Sequence, residues 1–353
     1  MKPVRVLIVD DSPTMRARIR AILSADRAIE VVGEARDPME ARDAIKVLSP
    51  DVMTLDVEMP KMSGLEFLEK VMRLRPLPVI MVSSLTEAGG SVTIEALEIG
   101  AFDCVAKPNM QHPNTFDTLA EKVKAAAGAK MGAREATARR PETRGRAAPN
   151  APGVKTAAGP LMGKLVVIGA STGGVEALAT VLSQFPRDCA PTLVTIHLPT
   201  PFTRNFAQRL DRICKPRVHE ASDGAPIQPG NIYVAPGTHT HLEVSRADQM
   251  RCVLREADQI NGHRPSVDAL FLSAARNIGA RAVGVILTGM GADGSQGLLA
   301  MRKAGARTLG QNEATCVVYG MPKVACQIGA VEKQAPLHAI AAEIAALTTR
   351  NRD

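Results

Sequence analysis

Two kinds of hydrophobic run alternate along this chain. Short, continuous apolar stretches such as VRVLIVD (4–10) and DVMTLDV (51–57) read as strands covered on both faces. Between them apolar residues recur at helical spacing. Met15, Ile19, Ile22 and Leu23 do so behind Ser12-Pro13, where the proline suits an early helical position. Over residues 1–124 the pattern predicts strands at 4–10, 29–35, 51–57, 77–84 and 102–107. It predicts helices from 13 onward and over 39–48, 64–74, 92–101 and 115–129. Five strand-helix units in succession imply a doubly wound, five-stranded parallel sheet.

The periodicity then stops. Residues 125–160 are rich in Ala, Arg, Gly and Pro and have the composition of a flexible linker. A second alternation occupies 161–350, with strands predicted at 165–170, 192–198 and 282–289. Helices are predicted at 175–185, 202–214, 266–279 and 295–305. Residues 217–257 carry short strands and turn signals (SDGAPIQPGN, APGT) and read as a β-ribbon excursion. The second half is therefore expected to be another α/β domain with a mainly parallel sheet.

Composition changes this picture in two places. The formal charge is +7, which invites a nucleic-acid reading, yet the segment 125–160 alone carries +5 of it. The remainder is nearly balanced, which argues against a dedicated basic groove, and no helix-turn-helix with clustered Arg or Lys is visible in 164–350. The six cysteines at 104, 189, 214, 252, 316 and 326 form no C-x-x-C pair and read as free thiols of a reducing compartment. The first apolar run is too short for a signal peptide, and no run reaches the ~20 residues of a membrane span. The expectation is a cytoplasmic protein with no membrane insertion.

Candidate chemistry sits at the predicted strand ends. Asp10 and Asp11 close the first strand, Asp56 the third, and Lys107 the fifth. In an open parallel sheet these ends line one crevice. Three converging carboxylates need a hard cation, and Mg2+ fits their oxygen chemistry. An aspartate beside the metal can attack a phosphoryl group, and a lysine can pair with the product. Each residue alone would be a turn or surface residue; their conjunction at successive strand ends is the signal.

In the second half, Gly169-Ala170-Ser171-Thr172-Gly173-Gly174 follows a strand and opens a helix, matching G-x-S-x-G. Such a turn presents a serine nucleophile, but a Gly-rich turn can also cradle a phosphate, and the motif alone does not choose. His197 after the next strand could act as base, and Asp293 in LTGMGADGS as the acid that orients it. His219, His239 and His241 fall in the ribbon and are less well placed. The order Ser, His, Asp departs from the Ser, Asp, His order of α/β-hydrolases. A non-catalytic binding module is the competing class, and the presence of all three residues favours an enzyme.

The same residues carry a family resemblance. VRVLIVDDSPTMR, DVMTLDVEMPKMSGLEFL, PVIMVSS and GAFDCVAKP resemble the receiver domain of two-component response regulators. VVIGASTGG, IHLP, YVAPG, HRPSVD, VGVILTGMGADG and CVVYGMP resemble chemotaxis protein-glutamate methylesterases, a family that also carries a receiver. The resemblance implies Asp56 as phosphoacceptor, Asp10 and Asp11 beside it at the metal, Ser83 as switch hydroxyl and Lys107 as phosphate partner. It implies Ser171 as nucleophile, His197 as general base and Asp293 as orienting acid, with no cofactor for ester hydrolysis. It further implies a sensor histidine kinase as phosphodonor and methyl-accepting chemotaxis receptors as substrate. Glutamate methyl esters would be hydrolysed and receptor glutamines deamidated. In the family, an unphosphorylated receiver packs over the catalytic crevice, and phosphorylation relieves the inhibition. Two positions depart from the family pattern: Cys104 stands where an aromatic is usual, and Ile196 where a Gln usually precedes the histidine. HRPSVD (263–268) reads as a family signature without an assigned chemical role.

Overall fold

The computed structural model describes residues 2–60, 62–84, 87–110, 115–128, 164–198, 202–245 and 249–349, with backbone alone at 87–91. Beyond Gly128, the segment read as a linker lies outside the described residues. The chain folds as two compact units. Among the described residues no helix is long and apolar enough to cross a membrane.

In the N-terminal unit five strands alternate with five helices: β1 (Val4–Val9), α1 (Pro13–Ser24), β2 (Ile29–Ala35), α2 (Pro38–Leu48), β3 (Val52–Asp56), α3 (Gly64–Leu74), β4 (Val79–Ser83), α4 (Glu87–Ile99), β5 (Asp103–Ala106) and α5 (Leu119–Gly128). The sheet is parallel throughout, in the order β2-β1-β3-β4-β5. Local chemistry starts the helices where the sequence said it would. Ser12, Asp37 and Ser63 cap α1, α2 and α3 by accepting from backbone amides one turn in. The inner strands β3 and β4 and the edge strand β5 are buried at every position, as expected of a sheet covered by helices on both faces.

Two helices here depart from the pattern reading. The fourth begins at Glu87 rather than 92 and runs through Gly89 and Gly90. Glycine is a poor helix former by about 1 kcal/mol, a weak preference that tertiary context overrides. The fifth begins at Leu119, because residues 115–118 form turns.

The C-terminal unit is built on a seven-stranded parallel sheet. Its elements are β6 (Leu165–Ala170), α6 (Gly174–Leu182), β7 (Thr192–Ile196), α7 (Phe202–Ile213), β8 (Arg217–Glu220), β9 (Asn231–Val234), β10 (Thr240–Val244), β11 (Cys252–Glu256), α8 (Val267–Asn277), β12 (Ala282–Ile286), α9 (Ser295–Lys303), β13 (Arg307–Gln311), α10 (Met321–Gln327), β14 (Lys333–Ala335) and α11 (Leu337–Thr348). The order is β14-β13-β12-β6-β7-β9-β8, with β10 and β11 as a separate antiparallel pair. The ribbon excursion is therefore confined to β10 and β11. β8 and β9, expected to belong to it, instead pair in parallel and extend the main sheet beside β7. Their short lengths hid this, since four residues carry almost no period. Past residue 305 the sequence supplied no predicted elements; β13, α10, β14 and α11 fill it. All six cysteines are free, and four are buried.

Connectivity reverses direction twice, and each reversal opens a crevice at the carboxyl ends of the strands. In the first sheet it lies between β1 and β3. In the second the chain runs outward from β6 through β7, then restarts on the other side with β12. The first crevice depends on close approach by α3. The Gly64 amide donates to the Val57 carbonyl at 2.9 Å, and a Cβ at Gly64 would sit 1.9 Å from the Asp56 carbonyl oxygen. Backbone at that distance cannot yield. Gly64→Ala is expected to destabilise the N-terminal unit by about 1–3 kcal/mol. Calorimetry of the full chain should show its transition lowered and that of the other unit unmoved.

Candidate active site

The first crevice gathers charge. Asp10, Asp11 and Asp56 place carboxylate oxygens within 4.8 Å of one another, Asp10 and Asp56 buried and Asp11 exposed. The Lys107 ammonium reaches Asp56 Oδ2 at 2.7 Å and Asp10 Oδ2 at 3.3 Å. The second contact is an ion pair, and among the described residues Asp10 Oδ2 stays a buried acceptor without a hydrogen-bond donor. That orphaned oxygen, flanked by two further carboxylates, is the donor set of a hard-cation site. Burial pushes the Asp56 carboxyl up to about 6, with the neighbouring Asp10 charge adding to it and Lys107 opposing. Burial likewise raises Asp10. Ser83 ends the neighbouring strand β4, fully buried, on the other side of β3 from β1. Cys104, in β5, is buried, and burial pushes its thiol up to about 12; it supplies a small apolar contact, not an aromatic ring.

The second crevice assembles three sequence-predicted residues from three strand ends. Ser171 follows β6, in a turn whose Gly174 amide donates to the Ser171 carbonyl at 2.7 Å. Its own amide donates to Thr288 at 3.0 Å, tying the turn to the loop after β12. His197 follows β7. Ala170 and Ile196 are register partners, so Ser171 and His197 stand side by side one residue beyond them. Ile196 itself is fully buried in β7. Asp293 lies in the loop between β12 and α9, and its Oδ2 accepts from His197 Nε2 at 2.8 Å.

Asp293 is 1% exposed, yet its carboxylate collects donors from several directions. Besides His197, these are the Ser266 hydroxyl at 2.7 Å, the Val267 amide at 2.7 Å, the Asp268 amide at 3.2 Å and the Asn261 side chain at 3.0 Å. Val267 and Asp268 are the first residues of α8, whose N-terminal dipole adds to the attraction. Burial pushes this carboxyl upward, but the His197, Asn261 and Ser266 donors outweigh it and hold Asp293 far below the usual carboxylate range. His241, not a catalytic candidate, holds the frame: Ser266 N–H donates to its Nδ1 at 3.0 Å, and its Nε2 donates to the Asp258 carbonyl at 2.9 Å.

The signature HRPSVD thus acquires a role that its residue types did not reveal. Ser266 caps α8 and donates to Asp293, while Asp268 accepts from Asn261 Nδ2 at 2.8 Å and from the Gly297 amide at 2.6 Å. His263 stacks on His197, ring centroids 3.7 Å apart and planes within 9°. Asn261 was missed altogether. The available signal was the Asn-Gly pair at 261–262, which marks a tight turn with positive φ at both positions.

An acidic crevice on a five-stranded parallel sheet, joined to a second sheet with Ser, His and Asp at its switch point, is the architecture of a response regulator with an enzymatic output domain. Known proteins bear this out. A family model described as a response regulator receiver domain matches residues 6–116, and one described as CheB methylesterase matches 166–344. The chain belongs to the CheB methylesterase family. It is 59% identical over 349 residues to a protein-glutamate methylesterase/protein-glutamine glutaminase of Agrobacterium fabrum, covering 99% of this chain and 98% of the relative. The protein-glutamate methylesterase/protein-glutamine glutaminase 1 of Caulobacter vibrioides is 55% identical over 352 residues, with both chains covered in full. The crystal structure of the Thermotoga maritima CheB methylesterase catalytic domain aligns with a TM-score of 0.51 at 36% identity, covering 52% of this chain and 98% of that one.

Asp56 also sets a pH dependence. A carboxyl whose folded value is raised binds its proton more tightly in the native state, so stability is lost as pH rises from the unfolded value towards the folded one. For the metal-free protein that window runs from 3.8 to about 6. Over it the thermal midpoint of the N-terminal unit of the wild type should fall relative to that of Asp56→Asn. Parallel curves for the two proteins would mean that Asp56 is not destabilised by burial.

Proposed function

We propose that this chain is a phosphorylation-regulated esterase that hydrolyses glutamate methyl esters on chemoreceptors and deamidates receptor glutamines. Ser171 Oγ attacks the side-chain carbonyl while His197 takes its proton. The tetrahedral intermediate collapses with transfer of that proton to the leaving group, releasing methanol from an ester or ammonia from an amide. Water, deprotonated by His197, then attacks the acyl-enzyme, yielding free glutamate and restoring Ser171. Asp293 stays ionised throughout, orients the ring and stabilises the imidazolium. The observation that carries this reading is the bond from His197 Nε2 to the buried, five-donor Asp293, with Ser171 one strand away. Methanol release from methylated receptor membranes tests it. Ser171→Ala and His197→Ala should each lose about 10³-fold or more in kcat, since members of such a set act as a unit. Turnover by Ser171→Ala at the wild-type rate would remove the acyl-enzyme.

The N-terminal residues 1–124 are the regulatory receiver, 125–160 the basic tether and 161–350 the catalytic domain in this reading, which places the work in the cytoplasm. Asp10, Asp11 and Asp56 would hold Mg2+, which offsets the negative charge of the carboxylates and of an incoming phosphoryl group. Asp56 accepts the phosphoryl group from a sensor histidine kinase. Lys107 exchanges its Asp56 contact for the phosphate, and Ser83 supplies the switch hydroxyl. Support comes from the orphaned Asp10 oxygen and from the Lys107–Asp56 pair. A phosphoryl group on Asp56 relieves inhibition of the esterase; such a switch needs only a few kcal/mol of differential stability. Initial demethylation rates of the full chain should rise with a phosphodonor and Mg2+, and Asp56→Asn should stay at the resting rate. Equal activation of both proteins would put the regulatory site elsewhere.

A further inference from the structure

His197 is held by more than its carboxylate. Its side chain is 7% exposed, its Nε2 is committed to Asp293, and its Nδ1 is buried without a hydrogen-bond partner among the described residues. A ring fixed through one edge atom can still rock about that bond. The face of the ring is closed by His263, stacked at 3.7 Å and nearly parallel.

His263 is itself rigidly carried. The turn 260–263 is closed by two backbone bonds, Ile260 N–H to the His263 carbonyl at 3.1 Å and His263 N–H to the Ile260 carbonyl at 2.9 Å. Positive φ at Asn261 (54°) and Gly262 (78°) matches the two-residue hairpin turn that Asn-Gly favours. Asn261 ties this turn to Asp293 Oδ1 and Asp268 Oδ2. The adjacent Arg264 guanidinium anchors the far side on the Ala257 carbonyl at 2.9 Å and on His239 Nδ1 at 3.0 Å. The group that grips the edge of His197 and the group that covers its face are therefore indexed to one carboxylate.

We infer that His263 is a positioning residue for the base, its ring stacked on His197 to hold Nδ1, not Nε2, as the nitrogen that receives the Ser171 proton. This rests on the reading of His197 as base. With Nε2–H donated to Asp293, a neutral ring carries its lone pair on Nδ1, the one ring nitrogen left free. Stacking removes the tilt that would swing that lone pair off line, and small misplacements of a catalytic group are costly. When the proton arrives, the imidazolium is flanked by the Asp293 carboxylate at its edge and a π face above it.

The test uses the full chain with methylated receptor membranes, measuring kcat and KM for wild type, His263→Ala, His263→Phe and His197→Ala, together with nitrogen-resolved NMR of the His197 ring. His263→Ala should lose about 10- to 100-fold in kcat, with KM within about two-fold, and His263→Phe should recover most of the loss by restoring a flat ring. The His197 ring should be the Nε2–H tautomer in wild type and a mixture of tautomers or orientations in His263→Ala. Should His263→Ala fold poorly, the phenylalanine variant decides, since it keeps the stack without the imidazole. A wild-type kcat in His263→Ala, a phenylalanine variant as slow as alanine, or a wild-type ring carrying its proton on Nδ1 would each overturn the inference. Activity surviving in His197→Ala would instead overturn the reading of the base.

Discussion

A carboxylate sealed at the end of a sheet keeps its charge only if donors surround it, and the C-terminal unit is organised around that requirement at Asp293. Burying an unpaired charge would cost several kcal/mol, and the carboxyl would take up a proton instead. Two amides of α8, the Ser266 hydroxyl, the Asn261 amide and the His197 ring meet it together. Each comes from a segment remote in sequence from Asp293. The N-terminus of α8, the Asn-Gly turn and the end of β7 are thereby brought to one point, and the orientation of His197 follows from this electrostatic demand.

The receiver crevice resolves the same problem in the opposite direction. Asp10 and Asp56 are as deeply buried as Asp293, yet they share one lysine and leave an oxygen without a donor. Their carboxyls are pushed up where that of Asp293 is held down. A fully compensated carboxylate is suited to orienting a neighbour and staying ionised. An under-compensated pair is suited to gaining a cation, because a cation relieves a repulsion already present. Buried acids at the strand ends of two similar sheets thus sit in different electrostatic states, and the number of donors around each is the difference.

The central strands and the site positions were legible because both depend on local pattern. A strand covered on both faces must be continuously apolar, so β1, β3, β6 and β12 announce themselves, and a polar residue ending such a run must face the crevice. Asp10, Asp56, Ser171 and His197 were placed that way. Other elements were not: RTLGQ and KQA at β13 and β14 carry no continuous apolar run, β8 and β9 read as strands of a ribbon and not of the main sheet, and α4 begins among glycines that local preference would exclude.

By itself the sequence determined two parallel-sheet units, the polar residues that end their strands and the family to which the chain belongs. These follow from apolar period, capping residues and motif, all properties of neighbouring positions. Tertiary structure alone decided that β8 and β9 extend the main sheet, and that HRPSVD and Asn261 serve Asp293. It also decided that His263 lies over His197. Each of these joins groups far apart in sequence: backbone ladders join β8 and β9 to β7, ring stacking joins His263 to His197, and the cost of an unsatisfied buried charge draws HRPSVD and Asn261 to Asp293. None of these has a signature until the chain has folded.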